Sequence, residues 1–276
     1  MKYKLAVFGS PVSHSRSPWI HQQFAAQFGL DIDYQKIEAT SESFVKLIQQ
    51  FKNSGAIGAN VTAPFKIEAY HLANEVSNRA KIAGAANTLL FRQDGPIFAD
   101  NTDGLGFIRD ITQNLQYSLA QKRILILGSG GATRSILSAL LQQQPKEIIL
   151  IDKVTKQALD VAEALHSTAK QYDVPLIVHS YPNSHDTVFD VVFDATSAWH
   201  NLPIMPATLN FSSNSMAYDL KYASCDTIFI SWAKQQNATI TKDGIGMLIE
   251  QAAVGFEIWT GYQPDTKSVI QAAKTI

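Results

Sequence analysis

The segment around residue 128 constrains the fold of this chain more than any other. Arg123–Leu127 is a dense apolar run of the kind that is buried on both faces of a parallel sheet, and Gly128-Ser-Gly-Gly131 follows it directly. The next run, Thr133–Gln143, is predicted to be a helix, and the apolar run Glu147–Ile151 after it ends at Asp152. A strand, a glycine turn, a helix and a second strand in this order are typical of the dinucleotide-binding unit of an α/β domain.

The same alternation of apolar and amphipathic runs extends through the rest of the chain and predicts an α/β fold with mostly parallel strands. The other predicted strands are Tyr3–Gly9, Asp33–Ala39, Ile57–Thr62, Leu89–Phe91, Ile97–Ala99, Val188–Phe193 and Met216–Leu220. Two further helices are predicted to begin at Ser17-Pro18, with Ser17 as the N-cap, and at Pro64. The remaining predicted helices extend over Ser41–Asn53, Thr155–Leu165, Gly244–Trp259 and from Pro264 to about Ala273.

These elements divide into domains. The first hundred residues predict one βα-rich domain that ends in a hairpin at Asp94-Gly95, and a helix from Asp103 to about Gln116 links it to the next domain. We therefore predict an N-terminal α/β domain over residues 1–102 and a Rossmann-type doubly wound domain over residues 103–242, which begins with the linking helix. C-terminal helices are predicted over residues 243–276.

Composition excludes several classes of protein. The 276 residues carry 23 Lys and Arg against 24 Asp and Glu, so the basic excess that nucleic-acid binding requires is missing. The single cysteine, Cys225, excludes an intrachain disulfide and a multi-thiolate zinc site, and fits a reducing cytoplasm. No run approaches the roughly 20 apolar residues of a membrane span, and His14 and His21 have no metal-ligand partners at a plausible spacing. These features predict a soluble, metal-free, two-domain enzyme with a small-molecule substrate.

The glycine motif indicates a nucleotide cofactor. Glycines let the backbone approach a pyrophosphate, and the N-terminus of the following helix offers free N–H groups and a partial positive charge to that anion. Asp152, at the end of the next strand, can accept hydrogen bonds from the adenosine ribose. Thr133 stands where the fingerprint has its third glycine, which weakens the match. The alternative is a plain tight turn.

Two polar motifs lie in the N-terminal part of the chain. Asn60-Val-Thr-Ala-Pro-Phe-Lys66 places Lys66 in the first turn of a helix, where a cation opposes the helix dipole, so a functional role is worth considering. The alternative is an ordinary exposed lysine. Asp100-Asn-Thr-Asp103-Gly104 is dense in small polar residues that can bind a polyhydroxylated ligand, although Asp103 can also be a simple N-cap.

Taken together, these and other segments resemble the shikimate dehydrogenase family. The matching segments are Ala6-Val-Phe-Gly-Ser-Pro11, His14-Ser-Arg-Ser-Pro18, Asn60–Lys66, Gly84-Ala-Ala-Asn87-Thr88, Asp100–Gly104, Gly128-Ser-Gly-Gly-Ala132, Tyr218-Asp-Leu-Lys-Tyr222 and Asp243-Gly-Ile-Gly-Met247 with Gln251. They occur in the family's order over nearly the whole chain, which makes the set far more specific than any one motif. The resemblance implies a substrate domain, a Rossmann cofactor domain and C-terminal helices that return to the first domain.

The resemblance also implies an activity, the reversible NADPH-dependent reduction of 3-dehydroshikimate to shikimate in chorismate and aromatic amino-acid biosynthesis. Lys66 would exchange a proton with the reacting oxygen, and Asp103 would orient the ligand hydroxyl and hold the lysine. The substrate-binding residues would be Ser15, Ser17, Thr62, Asn87, Tyr222 and Gln251. The cofactor-binding residues would be Gly128, Ser129, Gly130, Gly131, Ala132, Asp152, Lys153, Leu220 and Gly244. The oligomeric state is left as monomer or homodimer.

Three positions depart from the family pattern. The family commonly has Asn-Arg-Thr-x-x-Arg where this chain has Asp152-Lys-Val-Thr-Lys-Gln157, and lysines do not reproduce the planar clamp of those arginines on a 2′-phosphate. Asp152 would repel that phosphate, whereas Lys153 and Lys156 would attract it. NADP is therefore the predicted cofactor, and NAD or the use of both cofactors is the alternative. The alternative functions are an NAD-preferring quinate/shikimate dehydrogenase and a non-catalytic metabolite sensor. Asp194, where the family usually has Asn, and Asn78, where it often has an acid, have no explanation from sequence.

Overall fold

The structure is a computed structural model that describes residues 2–92, 95–180, 187–196 and 209–273. The chain forms two compact units, which are Met1–Phe107 with Leu248–Ile276 (unit 1) and Ile108–Met247 (unit 2). Among the described residues, no helix is long and apolar enough to cross a membrane.

The elements follow one another in chain order. Those up to the first unit boundary are β1 (Lys2–Gly9), α1 (Ser17–Gln27), β2 (Asp31–Glu38), α2 (Phe44–Asn53), β3 (Gly58–Val61), α3 (Lys66–Leu72), β4 (Glu75–Val76), α4 (Asn78–Ala83), β5 (Thr88–Phe91), β6 (Ile97–Asp100) and α5 (Asp103–Arg109). After a π-helical turn (Asp110–Asn114) come β7 (Arg123–Leu127), α6 (Gly131–Leu141), β8 (Glu147–Asp152), α7 (Thr155–Ala164), α8 (His166–Gln171), β9 (Leu176–Ser180), β10 (Val188–Asp194), β11 (Asn210–Asp219), α9 (Ile228–Gln235), β12 (Ile240–Lys242), α10 (Ile245–Thr260) and α11 (Thr266–Ala273).

Unit 1 is built on a mixed sheet with the strand order β2-β1-β3-β5-β6-β4. Its first strand shows why helices cover both faces, since successive side chains of a strand point to opposite sides. Ala6 and Phe8 pack into one cluster with residues of α2, whereas Leu5 and Val7 pack into another with Trp259 of α10. The C-terminal helix α10 therefore completes the core of unit 1.

Unit 2 is built on a fully parallel sheet with the strand order β12-β11-β10-β7-β8-β9. Read from β9, this is the order of a Rossmann-type doubly wound sheet, and the order reverses between β7 and β10. Ile124–Leu127 is fully buried, as expected for a central parallel strand. The predicted α/β fold class, with a substrate-type domain and a Rossmann-type domain, is confirmed.

The unit boundary falls after Phe107, inside α5, and not before that helix as in the sequence-based division at residue 102. The reason is close packing between α5 and α10. A Cβ atom added to Gly106 would lie 2.6 Å from Gln251 Cβ, so the helices approach more closely than an alanine would allow. The first turns of α5 therefore belong to the core of unit 1.

Some predicted helix ends were wrong. Helix α1 begins at Ser17 itself, so Arg16 is its N-cap residue, and Ser15 Oγ accepts the hydrogen bond from Ser17 N at 3.2 Å. Helix α2 begins at Phe44 and not at Ser41, because Thr40–Ser43 forms a turn in which Thr40 N donates to Ser43 Oγ at 2.8 Å.

The helix predicted to extend to Gln116 is α-helical only to Arg109 and continues as a π-helical turn, in which Leu115 N donates to Asp110 O. The hairpin strands β5 and β6 pair as predicted, but Asp94 of the turn lies outside the described residues. The sequence did not predict β4, α4, α8, β9, α9 and β12, which are short or lie at a sheet edge.

Candidate functional site

Lys66 and Asp103 converge in unit 1 although they are far apart in the sequence. Lys66 is the first residue of α3 and Asp103 the first of α5, and Lys66 Nζ lies 2.6 Å from Asp103 Oδ2. The two side chains are 19% and 7% exposed, so the pair is largely shielded but still open to a ligand. Phe65 anchors the start of α3, since its buried ring stacks on Phe44 with 4.7 Å between ring centroids.

A buried amide network holds the other side of the Asp103 carboxylate. Asn87 Nδ2 donates to Asp103 Oδ1 at 2.6 Å, to Thr102 Oγ1 at 3.0 Å and to Gln251 Oε1 at 3.1 Å. Thr102 N donates to Asn87 Oδ1 at 2.9 Å, which fixes the orientation of that amide. Both carboxylate oxygens of Asp103 are thus engaged, one by an ammonium and the other by an amide. The structure brings Asn87 and Gln251 to the Lys66–Asp103 pair.

The other predicted substrate residues lie at the start of α1, before α3 and in unit 2. Ser15 Oγ and Ser17 Oγ lie 3.2 Å apart, at the start of α1. Thr62 precedes α3, and its methyl group leaves no room for a Cβ atom on Gly9, so a glycine is required where β1 ends. Tyr222 lies in unit 2, just beyond β11, and is half-buried.

Sequence reasoning missed the residues that fix the Asp100–Asp103 segment. Arg79 Nη2 lies 2.6 Å from Asp100 Oδ2, and Asp100 Oδ1 accepts hydrogen bonds from Ser77 Oγ and from the backbone N of Asn101. In the sequence, the only indication of this group of contacts was the position of Asp100 in the polar motif Asp100–Gly104. Asn78 is exposed at the start of α4, and the structure gives no account of the residue type there.

Close packing of α5 on α10 gives a direct prediction. Gly106→Ala is expected to lower the free energy of unfolding by about 1–3 kcal/mol, because the new Cβ atom would collide with Gln251. It is also expected to raise the KM for substrate, because Gln251 shares the Asn87 network. Gly255→Ala on α10 is the matched control, since its nearest atoms would lie 3.7 Å away. Urea unfolding and steady-state kinetics measure both effects, and equal stability of the two variants would contradict this packing argument.

The glycine turn of unit 2 has the geometry that a diphosphate group requires. Gly128 has a φ of +92°, and a Cβ atom on it would lie 3.1 Å from the backbone of Ala195 and Thr196. Gly130 and Gly131 have open space within 4 Å of their Cβ positions, directly at the N-terminus of α6. The exposed Gly130 and Gly131 therefore leave the N-terminus of α6 open to an anion, and the turn fits a dinucleotide cofactor.

Two further side chains brace this turn from within unit 2. Thr133 Oγ1 donates to Gly128 O at 2.7 Å, which gives a structural role to the residue that departs from the glycine fingerprint. Asp152 Oδ2 accepts from Ser129 N and from Ser129 Oγ, both at 2.7 Å, and Asp152 Oδ1 accepts from Val154 N at 2.9 Å. Both carboxylate oxygens of Asp152 thus have donors within the chain. Ala132 is half-buried and Lys153 is exposed.

Leu220 and Gly244, which were both predicted to bind the cofactor, are in contact. A Cβ atom on Gly244 would lie 2.7 Å from Leu220 C, so only glycine permits this approach. Leu220 N donates to Asp194 O at 2.9 Å, and Gly244 N donates to Lys221 O at 2.8 Å. Within the described part of the chain, no group of three or more His, Cys, Asp and Glu side chains could hold a metal ion.

Family models match the three parts of the chain in order. The shikimate dehydrogenase substrate binding domain matches residues 7–89, the shikimate / quinate 5-dehydrogenase model matches residues 110–210, and the shikimate 5′-dehydrogenase C-terminal domain matches residues 244–274.

Individual relatives match over nearly the full length. The shikimate dehydrogenase (NADP(+)) of Vesicomyosocius okutanii subsp. Calyptogena okutanii (strain HA) is 43% identical over 268 residues, which cover 97% of this chain and 98% of the relative. The crystal structure of an Ael1 enzyme from Pseudomonas putida matches with a TM-score of 0.85 and 38% identity over 98% of this chain and 97% of its own. A shikimate dehydrogenase solved in complex with NADP+ matches with a TM-score of 0.87 and 29% identity over 99% of this chain and 95% of its own.

Proposed function

Because the chain belongs to the shikimate dehydrogenase family, we propose that it catalyses the reversible NADP-dependent interconversion of shikimate and 3-dehydroshikimate. It is an alcohol oxidoreductase with a small-molecule substrate. The observation that best supports this function is the contact of 2.6 Å between Lys66 Nζ and Asp103 Oδ2, with Asn87 on the other carboxylate oxygen. An ammonium held in this way is suited to exchange one proton with an alcohol oxygen.

The residues of unit 1 would carry the proton part of the reaction. In the reductive direction, the ammonium of Lys66 donates a proton to the carbonyl oxygen as that oxygen gains negative charge. In the oxidative direction, the amine removes the same proton from the hydroxyl. Asp103 keeps Lys66 in place through the ion pair, and Asn87 restrains Asp103 from the other side. When bound, the nicotinamide cofactor supplies the hydride to the carbonyl carbon or accepts it.

Binding of the substrate would rely on polar side chains throughout. The proposed donors and acceptors are Ser15, Ser17, Thr62, Asn87, Tyr222 and Gln251, which would engage the carboxylate and the ring hydroxyls. A pocket of this kind rejects analogues that lack a hydroxyl, because its own buried groups would then have no partner. Asn87 and Gln251 already hydrogen-bond to each other at 3.1 Å, which favours one arrangement of both amides before the substrate binds.

The cofactor would lie on the glycine turn of unit 2. We propose that Gly128, Ser129, Gly130, Gly131 and Ala132 contact its diphosphate, and that Asp152 and Lys153 lie towards its adenosine end. Leu220 and Gly244 would contact the other end. NADP is proposed because the relatives named above use it by their description. The internal hydrogen bonds of Asp152 support this choice, since they occupy lone pairs that would otherwise be offered to a free 2′-hydroxyl.

The direct test is turnover of shikimate with NADP+ by the purified protein, followed through the absorbance of the reduced cofactor. We expect turnover that requires both compounds, and its absence with either nicotinamide cofactor would refute the function. The second candidate, an NAD-preferring quinate/shikimate dehydrogenase, is favoured by the acidic residue at position 152. Comparison of kcat/KM for NADP+ and NAD+, and for quinate and shikimate, separates the two.

Asp152 also gives a specific prediction about the cofactor. Asp152→Asn is expected to lower the KM for NADP+ about threefold to tenfold, because it removes a negative charge near the 2′-phosphate at a half-buried site that is partly screened by solvent. The amide oxygen of asparagine can still accept from Ser129 N and Oγ, whereas the hydrogen bond from Val154 N is lost. The KM for NAD+ is expected to change less than twofold. A higher KM for NADP+ in this variant would contradict the prediction. It would show that the glycine turn needs both carboxylate oxygens of Asp152.

We further propose that the enzyme works in the cytoplasm as a monomer or homodimer. The exposed free thiol of Cys225 supports a reducing compartment. Light scattering of the purified protein distinguishes monomer from dimer.

A further inference from the structure

Lys221, which the sequence analysis did not single out as a site residue, lies at the centre of a cluster of oxygen atoms in unit 2. Its Nζ lies 2.5 Å from Asp194 Oδ2 and 3.3 Å from Asp219 Oδ1. It also donates to Thr196 O at 3.2 Å and to Thr196 Oγ1 at 3.3 Å. Both carboxylates are fully buried, and the lysine side chain is 19% exposed.

The cluster places two negative charges beside a single positive one. Burial and the neighbouring charge of Asp194 raise the pKa of Asp219, and Lys221 and the hydroxyl of Thr227 oppose that rise. The remaining lone pairs are satisfied locally, because Asp194 Oδ1 accepts from Thr196 N and Oγ1, and Asp219 Oδ2 accepts from Thr227 Oγ1. Among the described residues, Lys221 is the only salt-bridge partner of the two carboxylates, so loss of its ammonium would leave adjacent buried charges unpaired there, which is strongly unfavourable.

The position of the cluster relates it to the cofactor site. Asp194 and Asp219 are register partners at the carboxyl ends of the parallel strands β10 and β11. In doubly wound sheets, ligands bind outside the carboxyl ends of the strands, at the point where the strand order reverses. The adenosine half is expected beyond β8, where Asp152 lies, so β10 and β11 are on the nicotinamide side of β7.

Three backbone segments of the cofactor site meet at this cluster. The segment after β10 contacts Gly128 through Ala195, and Asp194 O accepts from Leu220 N at 2.9 Å. The segment after β11 contains Leu220 and Lys221, and Lys221 O accepts from Gly244 N at 2.8 Å. The side chain of Lys221 therefore binds the first segment, while its backbone binds the third.

We propose that Lys221 and Asp194 are a positioning pair that fixes the backbone on the nicotinamide side of the cofactor site. This inference rests on the proposed function in one respect, which is that Leu220 and Gly244 contact the cofactor. It also gives a role to the acid at position 194, which the sequence analysis left without an explanation. A carboxylate is accommodated there because this chain supplies a lysine at position 221 to neutralise it.

The test combines the single variants Lys221→Met and Asp194→Asn with the double variant. Lys221→Met is expected to raise the Kd and the KM for NADP+ about tenfold, corresponding to the loss of one good charged contact, with the KM for shikimate within about twofold. Lys221→Arg keeps the charge and is expected to remain within about threefold of the wild type. Lys234→Met is the control, since in the described part of the chain Lys234 on α9 pairs only with Asp226, which is exposed just before that helix.

The double variant Asp194→Asn/Lys221→Met decides between positioning and direct contact. If Lys221 acts through Asp194, removing both charges is expected to restore cofactor affinity to within about threefold of the wild type. If Lys221 instead contacts the cofactor itself, the double variant binds as weakly as Lys221→Met, and the positioning pair is overturned. An unchanged Kd for NADP+ in Lys221→Met also overturns it.

Folding and function are kept apart in the same set of measurements. Should Lys221→Met fail to fold, a folded double variant with near-normal affinity supports the pair, and a folded double variant with weak affinity refutes it. Asp194→Asn keeps the side-chain shape and is expected to raise the Kd about threefold by releasing Lys221. If neither Lys221→Met nor the double variant folds, an unchanged Kd in Asp194→Asn refutes the pair. Because Kd is measured by binding, these outcomes do not depend on whether shikimate is turned over.

Discussion

Lys66→Met is expected to lower kcat for shikimate oxidation by about 10²–10⁴-fold, which is the range that positioned proton transfer contributes to enzymatic reactions. Methionine keeps the length and the apolar stem of lysine but can neither donate nor accept the proton. The KM for shikimate is expected to change by less than about fivefold, because an interaction that acts mainly in the transition state contributes to kcat rather than to binding. Steady-state kinetics in both directions measure the two parameters.

Three comparisons make this result interpretable. Lys46→Met replaces an exposed lysine on α2 and is expected to keep full activity. Asp103→Asn keeps a hydrogen-bond acceptor for Lys66 but removes its counter-charge, so a smaller loss in kcat is expected. We expect Lys66→Met to stay folded, because Asp103 still accepts a hydrogen bond from Asn87 at 2.6 Å. Thermal unfolding checks this expectation. A kcat of Lys66→Met within tenfold of the wild type would remove Lys66 from proton transfer.

The parts of the fold that follow from local pattern could be predicted from the sequence. The apolar run of β7, the glycine turn and α6 depend on residues close in sequence, and each was recognised with small errors at its ends. Lys66 and Asp103 could be named because each lies in a short motif at the start of a helix. Their distance of 2.6 Å could not, because it depends on the pairing of β3 with β5 and of β5 with β6.

The parts that depend on distant partners could not be predicted. Asp194 was noticed only as a departure, because its partner Lys221 lies just beyond the next strand of the sheet and no spacing rule connects the two positions. Asp152 was assigned to a ribose hydroxyl, and its hydrogen bonds to Ser129 appear only when the ends of β7 and β8 are brought together. The sequence-based division places the first turns of α5 in the second domain for a similar reason, since the packing of Gly106 against Gln251 cannot be read from local pattern.

The stability of unit 1 is expected to fall as pH falls, because of one buried histidine. His21 is fully buried, and neither ring nitrogen is within hydrogen-bond geometry of a partner among the residues that the structure describes. Its ring stacks on Tyr34 with centroids 4.6 Å apart and also contacts Phe24, Phe256 and Trp259. Burial lowers the pKa of His21 from 6.5 to about 3, and the nearby Asn60 only partly opposes this shift. The imidazole is therefore neutral in the folded protein over most of the acidic range.

This shift determines the direction and the size of the pH effect. Below pH 6.5 the imidazole of the unfolded chain takes up a proton, whereas that of the folded protein stays neutral until about pH 3. The unfolded state is then favoured by about 1.4 kcal/mol per pH unit, which amounts to roughly 3 kcal/mol near pH 4. Above pH 6.5 both states are neutral and this contribution disappears.

His21→Phe isolates the effect from the carboxylates, which titrate in the same range. Phenylalanine keeps an aromatic ring in the cluster and has no group that titrates, so the variant is expected to lie within about 1 kcal/mol of the wild type at alkaline pH. As pH falls below 6.5, the variant should become progressively more stable than the wild type. Urea unfolding of both proteins at a series of pH values gives the difference directly. Parallel stability curves for the two proteins would mean that the folded state protonates His21 as readily as the unfolded chain does, and that the aromatic cluster admits the charge.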